Sequence, residues 1–236
     1  MTRRAGAYRG LSQPSRLRVM HELLLTPGQS LADLAAVTGL HENTLRDHLR
    51  VLEAEGFVVR RAEHTGTRGR PRDVFDPAGP ESPSPVAAQR VEDAKRHGDL
   101  MRGVMLQAPA DDKTVAHQLD ALYEHLDDVG LEPAMDEERL TIDLAPCAFH
   151  DLVDDRMAML CHVHAELIRG VLHQAEGPVE LDSLLPLVTP HRCHVALRIG
   201  SPDQETDALA DRVSRSMPAT TSAPAPTSTS SHSPRA

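Results

Sequence analysis

The run Ser30-Leu-Ala-Asp-Leu-Ala-Ala-Val-Thr-Gly-Leu-His-Glu-Asn-Thr-Leu-Arg-Asp-His-Leu-Arg-Val-Leu-Glu-Ala-Glu-Gly56 organises everything around it. Ser30 is an N-cap residue with Asp33 at the third position as its acidic partner, so a short helix starts there and turns Leu31, Leu34 and Ala35 inward. Thr38-Gly39-Leu40 makes a tight turn, because Gly39 tolerates the backbone conformation that brings the next helix across at a steep angle. That helix is predicted from His41 to Glu55. Leu45, Leu49 and Leu52 recur at spacings of four and three and form its packed face, and Gly56 ends it.

Working outward, Phe57-Val-Val-Arg-Arg61 and Asp73-Val-Phe75 read as two strands of a hairpin, with His64-Thr-Gly-Thr-Arg-Gly-Arg-Pro-Arg72 around its tip. Upstream, a helix is expected from about Ser12, with Pro14 in its first turn, and Leu17, Met20, Leu23 and Leu24 as its buried stripe; Pro27-Gly28 stops it. Three helices followed by a basic hairpin make a winged helix-turn-helix over residues 12–78. The outward positions of the last helix are His41, Glu42, Asn43, Arg46, Asp47 and Arg50. Asn and Arg make paired hydrogen bonds to adenine and guanine edges in the major groove, so Asn43 and Arg46 are expected to read bases, while Thr44 and Arg50 are expected on phosphate. Arg68, Arg70 and Arg72 suit the DNA backbone or a narrow minor groove, and Arg60 and Arg61 extend that patch. The expected partner is double-stranded DNA. His48, one residue before a core leucine, is read as structural. A helical hairpin that binds only other proteins is the bland alternative.

The chain of 236 residues carries a net charge of -10, which at first sight opposes DNA binding. The charge is segregated: residues 1–79 hold 12 Arg against 9 acids, or +3, and residues 80–236 hold 13 Lys and Arg against 26 acids, or -13. A basic head on an acidic body presents the correct end to phosphates. No run of about 18 apolar residues exists and the start lacks the apolar core of a secretory signal, so a cytoplasmic protein without membrane contact is expected. Structural disulfides are disfavoured there, and three cysteines would leave one unpaired.

The four prolines of Asp76-Pro-Ala-Gly-Pro-Glu-Ser-Pro-Ser-Pro85 mark a linker. A helix over Val86 to Gln107, weakened by Gly98 and Gly103, completes a linker-and-helix segment of 79–110. A second helix, Asp111 to Val129, aligns Val115, Leu119, Leu122 and Leu126, leaves an acidic opposite face and stops at Gly130. Arg139 to Leu144 alternates like a strand, a helix follows over Leu152 to Gln174, Leu181 to Leu185 is weakly strand-like, and Cys193 to Ile199 alternates again. The fold class is therefore α+β: the winged head, linker and dimerisation helices, a small α+β sensor and dimerisation domain over 111–200, and a tail of 201–236 too rich in Ser, Thr, Pro and Ala to order. No internal repeat is visible.

The cysteines Cys147, Cys161 and Cys193 all lie in the acidic half, spaced Cys-x13-Cys-x31-Cys, among His150, His162, His164, His191 and His194. Isolated cysteines are commonly small buried hydrophobes. Thiolates from three elements are also able to converge on a soft metal or a cluster. Zinc is a rival, although no short Cys-x2-4-Cys knuckle is present, and a body without metal, serving as a small-molecule pocket or dimer platform, stays open. His164 shares a helical face with Cys161 and is the candidate fourth ligand. Cys161 as an enzymatic nucleophile is a remote alternative, since no oriented base and third group can be named; the protein is read as a non-enzyme.

Leu34 to Gly56 followed by Gly66-Thr-Arg-Gly-Arg-Pro-Arg72 resembles the ArsR-like winged-helix regulators of bacteria, and the Gly-Arg-Pro wing resembles their SufR-type iron-sulfur-sensing subgroup. Cys147-Ala-Phe-His150, Cys161-His-Val-His164 and His191-Arg-Cys-His194 resemble the three ligand segments of that subgroup. The resemblance implies a 4Fe-4S cluster on Cys147, Cys161 and Cys193. The resulting expectation is a homodimeric DNA-binding transcriptional regulator on an inverted-repeat operator, dimerised through the helix at 86–107 or that at 111–129 and controlled by the cluster or another metal.

Overall fold

The computed structural model describes residues 10–64, 71–105, 112–145, 156–189 and 192–200, all within one compact unit that ends at Gly200. The expected tail, 201–236, lies outside the described residues. The fold is mixed α and β. It runs from a 3-10 turn at Gly10–Ser12 through helices α1 (Pro14–Leu25), α2 (Leu31–Thr38) and α3 (Glu42–Ala54), with a short strand β1 (Gln29–Ser30) between α1 and α2, to a hairpin of β2 (Val58–Glu63) and β3 (Arg72–Pro77).

Local chemistry fixes each of these elements. Helix α1 starts at Pro14, two residues later than expected, because the preceding turn is held elsewhere: the Gly10 amide donates to both carboxylate oxygens of Glu55, at 2.9 and 3.0 Å, and Arg16 Nε donates to the Gly10 carbonyl. At its other end the Gln29 amide donates to the carbonyls of Glu22 (2.9 Å) and Thr26 (3.0 Å), supplying partners that a helix terminus lacks. Ser30 and Asp33 form the expected capping box, and Gly39 takes φ 68 as the turn requires. His41 lies just outside α3 as its cap, with Nδ1 accepting from the Asn43 amide at 3.2 Å. Leu17, Val19, Met20, Leu23, Leu34, Leu45, Leu49 and Leu52 are buried together against Phe57, Val58 and Phe75. The hairpin is joined by β1, which pairs with β3 in the order β1-β3-β2. Two residues carry no periodicity, so this strand was not anticipated.

The body begins at α4 (Pro85–Val104), with Pro85 at the first helical position and the Ser84 hydroxyl accepting from the Ala87 amide. It packs along α5 (Lys113–Asp128), capped by Asp112. Gly98, expected to weaken α4, is where the two helices approach: a Cβ there would come within 2.2 Å of the Asp120 carboxylate, which instead accepts a two-pronged bond from Arg102 at 2.9 and 2.7 Å.

Then follow β4 (Glu132–Asp136), β5 (Thr141–Ala145), α6 (Arg156–Ala175), β6 (Val179–Thr189) and β7 (Arg192–Ile199), giving an antiparallel sheet in the order β4-β5-β7-β6. The sequence reading corrects at three points. Strand β4 was not anticipated. The strand expected from Arg139 starts at Thr141, because Asp136 accepts from the Arg139 amide at 3.0 Å and Leu140 takes φ 53 in the connecting turn. Strand β6 extends from Val179 to Thr189 rather than over 181–185, with register shifts after Leu181 and Leu185.

Helix α6 joins the two halves. Leu160 and Val163 are buried in the core formed by α1 to α3, whereas Ile168 and Leu172 belong to the core between α5 and the four-stranded sheet. Gln118 ties that second core together: its amide donates to the carbonyls of Leu172 and Val179, and its oxygen accepts from the Val179 amide at 2.7 Å. Three satisfied bonds make this almost fully buried amide tolerable in an apolar setting.

Candidate nucleic-acid interface

The buried stripe of α3, Leu45, Leu49 and Leu52, turns the opposite side of the helix to solvent. Glu42, Asn43, Thr44, Arg46, Asp47 and Arg50 are all exposed there. Arg46 donates to Asn43 Oδ1 at 2.7 Å and to Glu42 Oε2 at 2.8 Å, and Arg50 donates to Asp47 at 3.0 Å. The two expected base readers therefore touch each other. Exposed pairs of this kind contribute roughly 0.2–1 kcal/mol, so a phosphate or a guanine edge is able to replace the carboxylate.

The hairpin adds arginines from a second direction. Arg72 donates to Glu63 at 2.6 Å and approaches Asp33 at 3.9 Å; Arg60 lies 3.6 Å from both Glu53 and Asp73; Arg61 binds the buried Asp76 carboxylate at 2.6 Å. Arg68 and Arg70 lie outside the described residues. Arg18, which sequence reasoning passed over, is exposed and donates to the Val37 carbonyl at 3.2 Å. Alignment of Arg18 with the α2 terminus depends on the fold, so no local pattern marks it.

His48 faces inward as expected and is buried among the helices, its Nε2 without a hydrogen-bond partner among the described residues. Burial, followed by the nearby Arg16 guanidinium, lowers its pKa and favours the neutral ring.

A second set of residues, also missed, links this head to the body. Arg90 of α4 donates to the Glu55 carbonyl at the C-terminal cap of α3 (3.0 Å), lies 5.5 Å over the Phe57 ring, and pairs with Asp128 of α5 at 3.5 Å. His125 stands edge-on to the same Phe57, with centroids 6.1 Å apart. Burial, with smaller contributions from Arg90 and His164, lowers the pKa of His125 to about 3. His164 keeps part of its surface exposed, yet desolvation of its imidazole lowers its pKa to about 4. Thirty-five positions separate Arg90 from Glu55, so this strap leaves no signature in the local sequence.

The cysteines divide between described and undescribed parts. Cys161 on α6 and Cys193 on β7 are partly buried, and Cys193 packs against both cores. His162 meets the His21 ring edge-on at 5.5 Å, and His194 contacts Asp143 at 2.8 Å. Cys147, His150 and His191 lie outside the described residues. Among the described residues no group of three or more His, Cys, Asp or Glu is arranged to hold a metal ion, so those residues alone do not build a metal centre.

A family model of a helix-turn-helix domain matches residues 11–61. This is the span of α1, α2, α3 and the start of the hairpin, with the exposed α3 face at its centre. No curated protein matches the chain. The protein thus carries a helix-turn-helix DNA-binding domain of the kind found in transcription regulators, and among the described residues no helix is long and apolar enough to cross a membrane.

Proposed function

We propose that the protein is a homodimeric transcription regulator that binds an inverted-repeat operator and is controlled through its C-terminal body. The observation that carries this reading is α6: Leu160 and Val163 complete the hydrophobic core of the DNA-binding helices. A change in the body that shifts α6 must repack the head, because close-packed interiors transmit displacement rather than absorb it. Arg90, bound to the end of α3, offers a second route.

Dimerisation is supported by the end of α4, where Leu100, Val104 and Met105 are 62%, 70% and 60% exposed. Two copies joined there would place two α3 helices for half-sites about one helical turn apart. Asn43 and Arg46 then read bases, and Thr44, Arg50, Arg68, Arg70 and Arg72 hold the backbone.

Iron-sulfur control is the finer proposal. Cys193 packs against both cores and Cys161 lies on the helix that joins them, which favours thiol chemistry at the junction as the signal. Cys147, Cys161 and Cys193 would hold a 4Fe-4S cluster, and His164, kept neutral by desolvation, is in the protonation state a fourth ligand needs. Bound cluster would supply redox sensitivity. Zinc on the same residues is the competing occupant.

Size-exclusion and footprinting on an operator selected from random duplexes test the regulator. A symmetric footprint from a dimer is expected, and salt-insensitive or absent duplex binding contradicts the reading. Anaerobic protein should contain iron and sulfide and show visible charge-transfer absorbance; colourless protein containing zinc, or no metal, contradicts the cluster.

A further inference from the structure

Between the DNA-binding helices and the body lies a cavity of about 700 Å³ whose lining fits no anion and no purely apolar molecule. Met20 of α1, Phe57, Val91 of α4 and Val171 of α6 give it apolar and aromatic walls. Around them stand Asp93, Glu124, Asp127, Asp128, Glu132 and Glu166, against Arg90 as the lone lysine or arginine in the lining; Asp93 is paired with Arg96, Glu124 with His97 and Glu166 with Arg169, which leaves Asp127 and Asp128 as the carboxylates that decide the local charge.

The charges are not fully compensated. Arg90 serves Asp128 and the Glu55 carbonyl together, and Asp127 forms no ion pair among the described residues. Burial raises the pKa of Asp128, and the neighbouring Glu124 and Asp127 carboxylates push it further in that direction while Arg90 opposes them. His125 supplies an independent sign of a ligand. It lines the cavity, is only 6% exposed, and its imidazole forms no hydrogen bond among the described residues, the one ring contact being Phe57. A neutral imidazole so placed accepts a hydrogen bond from a bound N–H or packs on an aromatic group.

We infer that this cavity is an effector site for an amphipathic organic cation, its positive centre beside Asp127 and Asp128 and its apolar rings against Phe57 and Val171. The volume lies within the ~300–1,000 Å³ usual for small-molecule sites. A cation seated there competes with Arg90 for the Asp128 carboxylate and for the Phe57 face. Arg90 is the strap on the C-terminal cap of α3, so occupancy loosens the hold of the body on the recognition helix. The effector role rests on the DNA-binding reading; the site itself does not.

The test uses the full chain and two ions of the same shape and opposite charge, tetraphenylphosphonium and tetraphenylborate, with calorimetry for binding and a labelled duplex for affinity. Duplex binding by the ligand-free protein is measured first, and its absence would refute the regulator reading alone. The phosphonium should bind once per chain, about tenfold or more tighter than the borate, a difference of about 1.4 kcal/mol. Asp128→Asn should erase most of that preference, and Asp127→Asn, at an exposed position that cannot unfold the protein, should reduce it about threefold. Equal binding of the two ions, or a preference untouched by both variants, overturns the site. Phosphonium binding that leaves duplex affinity unchanged overturns its effector role.

Discussion

Helices α3 and α6 both lean on the core around α1, and they differ in what their remaining surface does. The other side of α3 is exposed and polar, with Arg46 and Arg50 in exposed ion pairs to Glu42 and Asp47 and Asn43 accepting a hydrogen bond from Arg46. The other side of α6 is buried again, with Ile168 and Leu172 in the core of the body. One helix therefore offers a polar face to a partner, and the other packs into both cores as a structural link. On the proposed function, recognition and control fall on two helices that share one core.

The largest effect should come from breaking the link. Val163→Asp places a carboxylate where no solvent reaches, at 0% exposure, and should cost at least about 4 kcal/mol, lowering head and body stability together. Urea titration followed by signals from both halves checks this; loss of the body alone would show that α6 does not bind the halves together. Acid should act on the same junction next. The folded pKa values of His125 and His164, about 3 and about 4, lie below the unfolded value of 6.5. Their contribution is therefore complete above pH 6.5 and is lost as pH falls toward the folded values, by about 1.4 kcal/mol per pH unit for each ring kept neutral. Denaturation at pH 7, 6 and 5 should show this slope, and His125→Leu should remove part of it.

The exposed face of α3 should respond in the opposite manner. Arg46→Ala should weaken duplex binding by about 1–3 kcal/mol and relax base preference, while stability moves by less than about 0.5 kcal/mol. An unchanged binding profile would remove Arg46 as a base reader. Ser30→Ala should cost about 1 kcal/mol of stability through the lost cap of α2, with base preference intact by competition assay.

The same division explains what the sequence made visible. Helices α2 and α3 announce themselves because their determinants are local: a Ser30 cap with Asp33, a Gly39 turn, and leucines at spacings of four and three. The exposed positions of Asn43 and Arg46 follow from that spacing. The sheets were harder, since pairing joins distant residues. Strand β4 contains Pro133 and β6 contains Pro186, which argue against strands except at sheet edges, and these are the two edges. Arg90, Gln118 and His125 act through partners far along the chain, so their roles emerged only with the fold. Of the expected ligand set, Cys161, Cys193 and His164 are described and Cys147 is not.

Hydrogen exchange of the α3 amides in Val163→Ala addresses the central claim most directly. Removing two methyl groups from the shared core should speed α3 exchange together with that of α6, by about five- to thirtyfold for a loss of about 1–2 kcal/mol. Faster exchange confined to α6, with α3 protected as before, would contradict a body that governs the recognition helix through a common core.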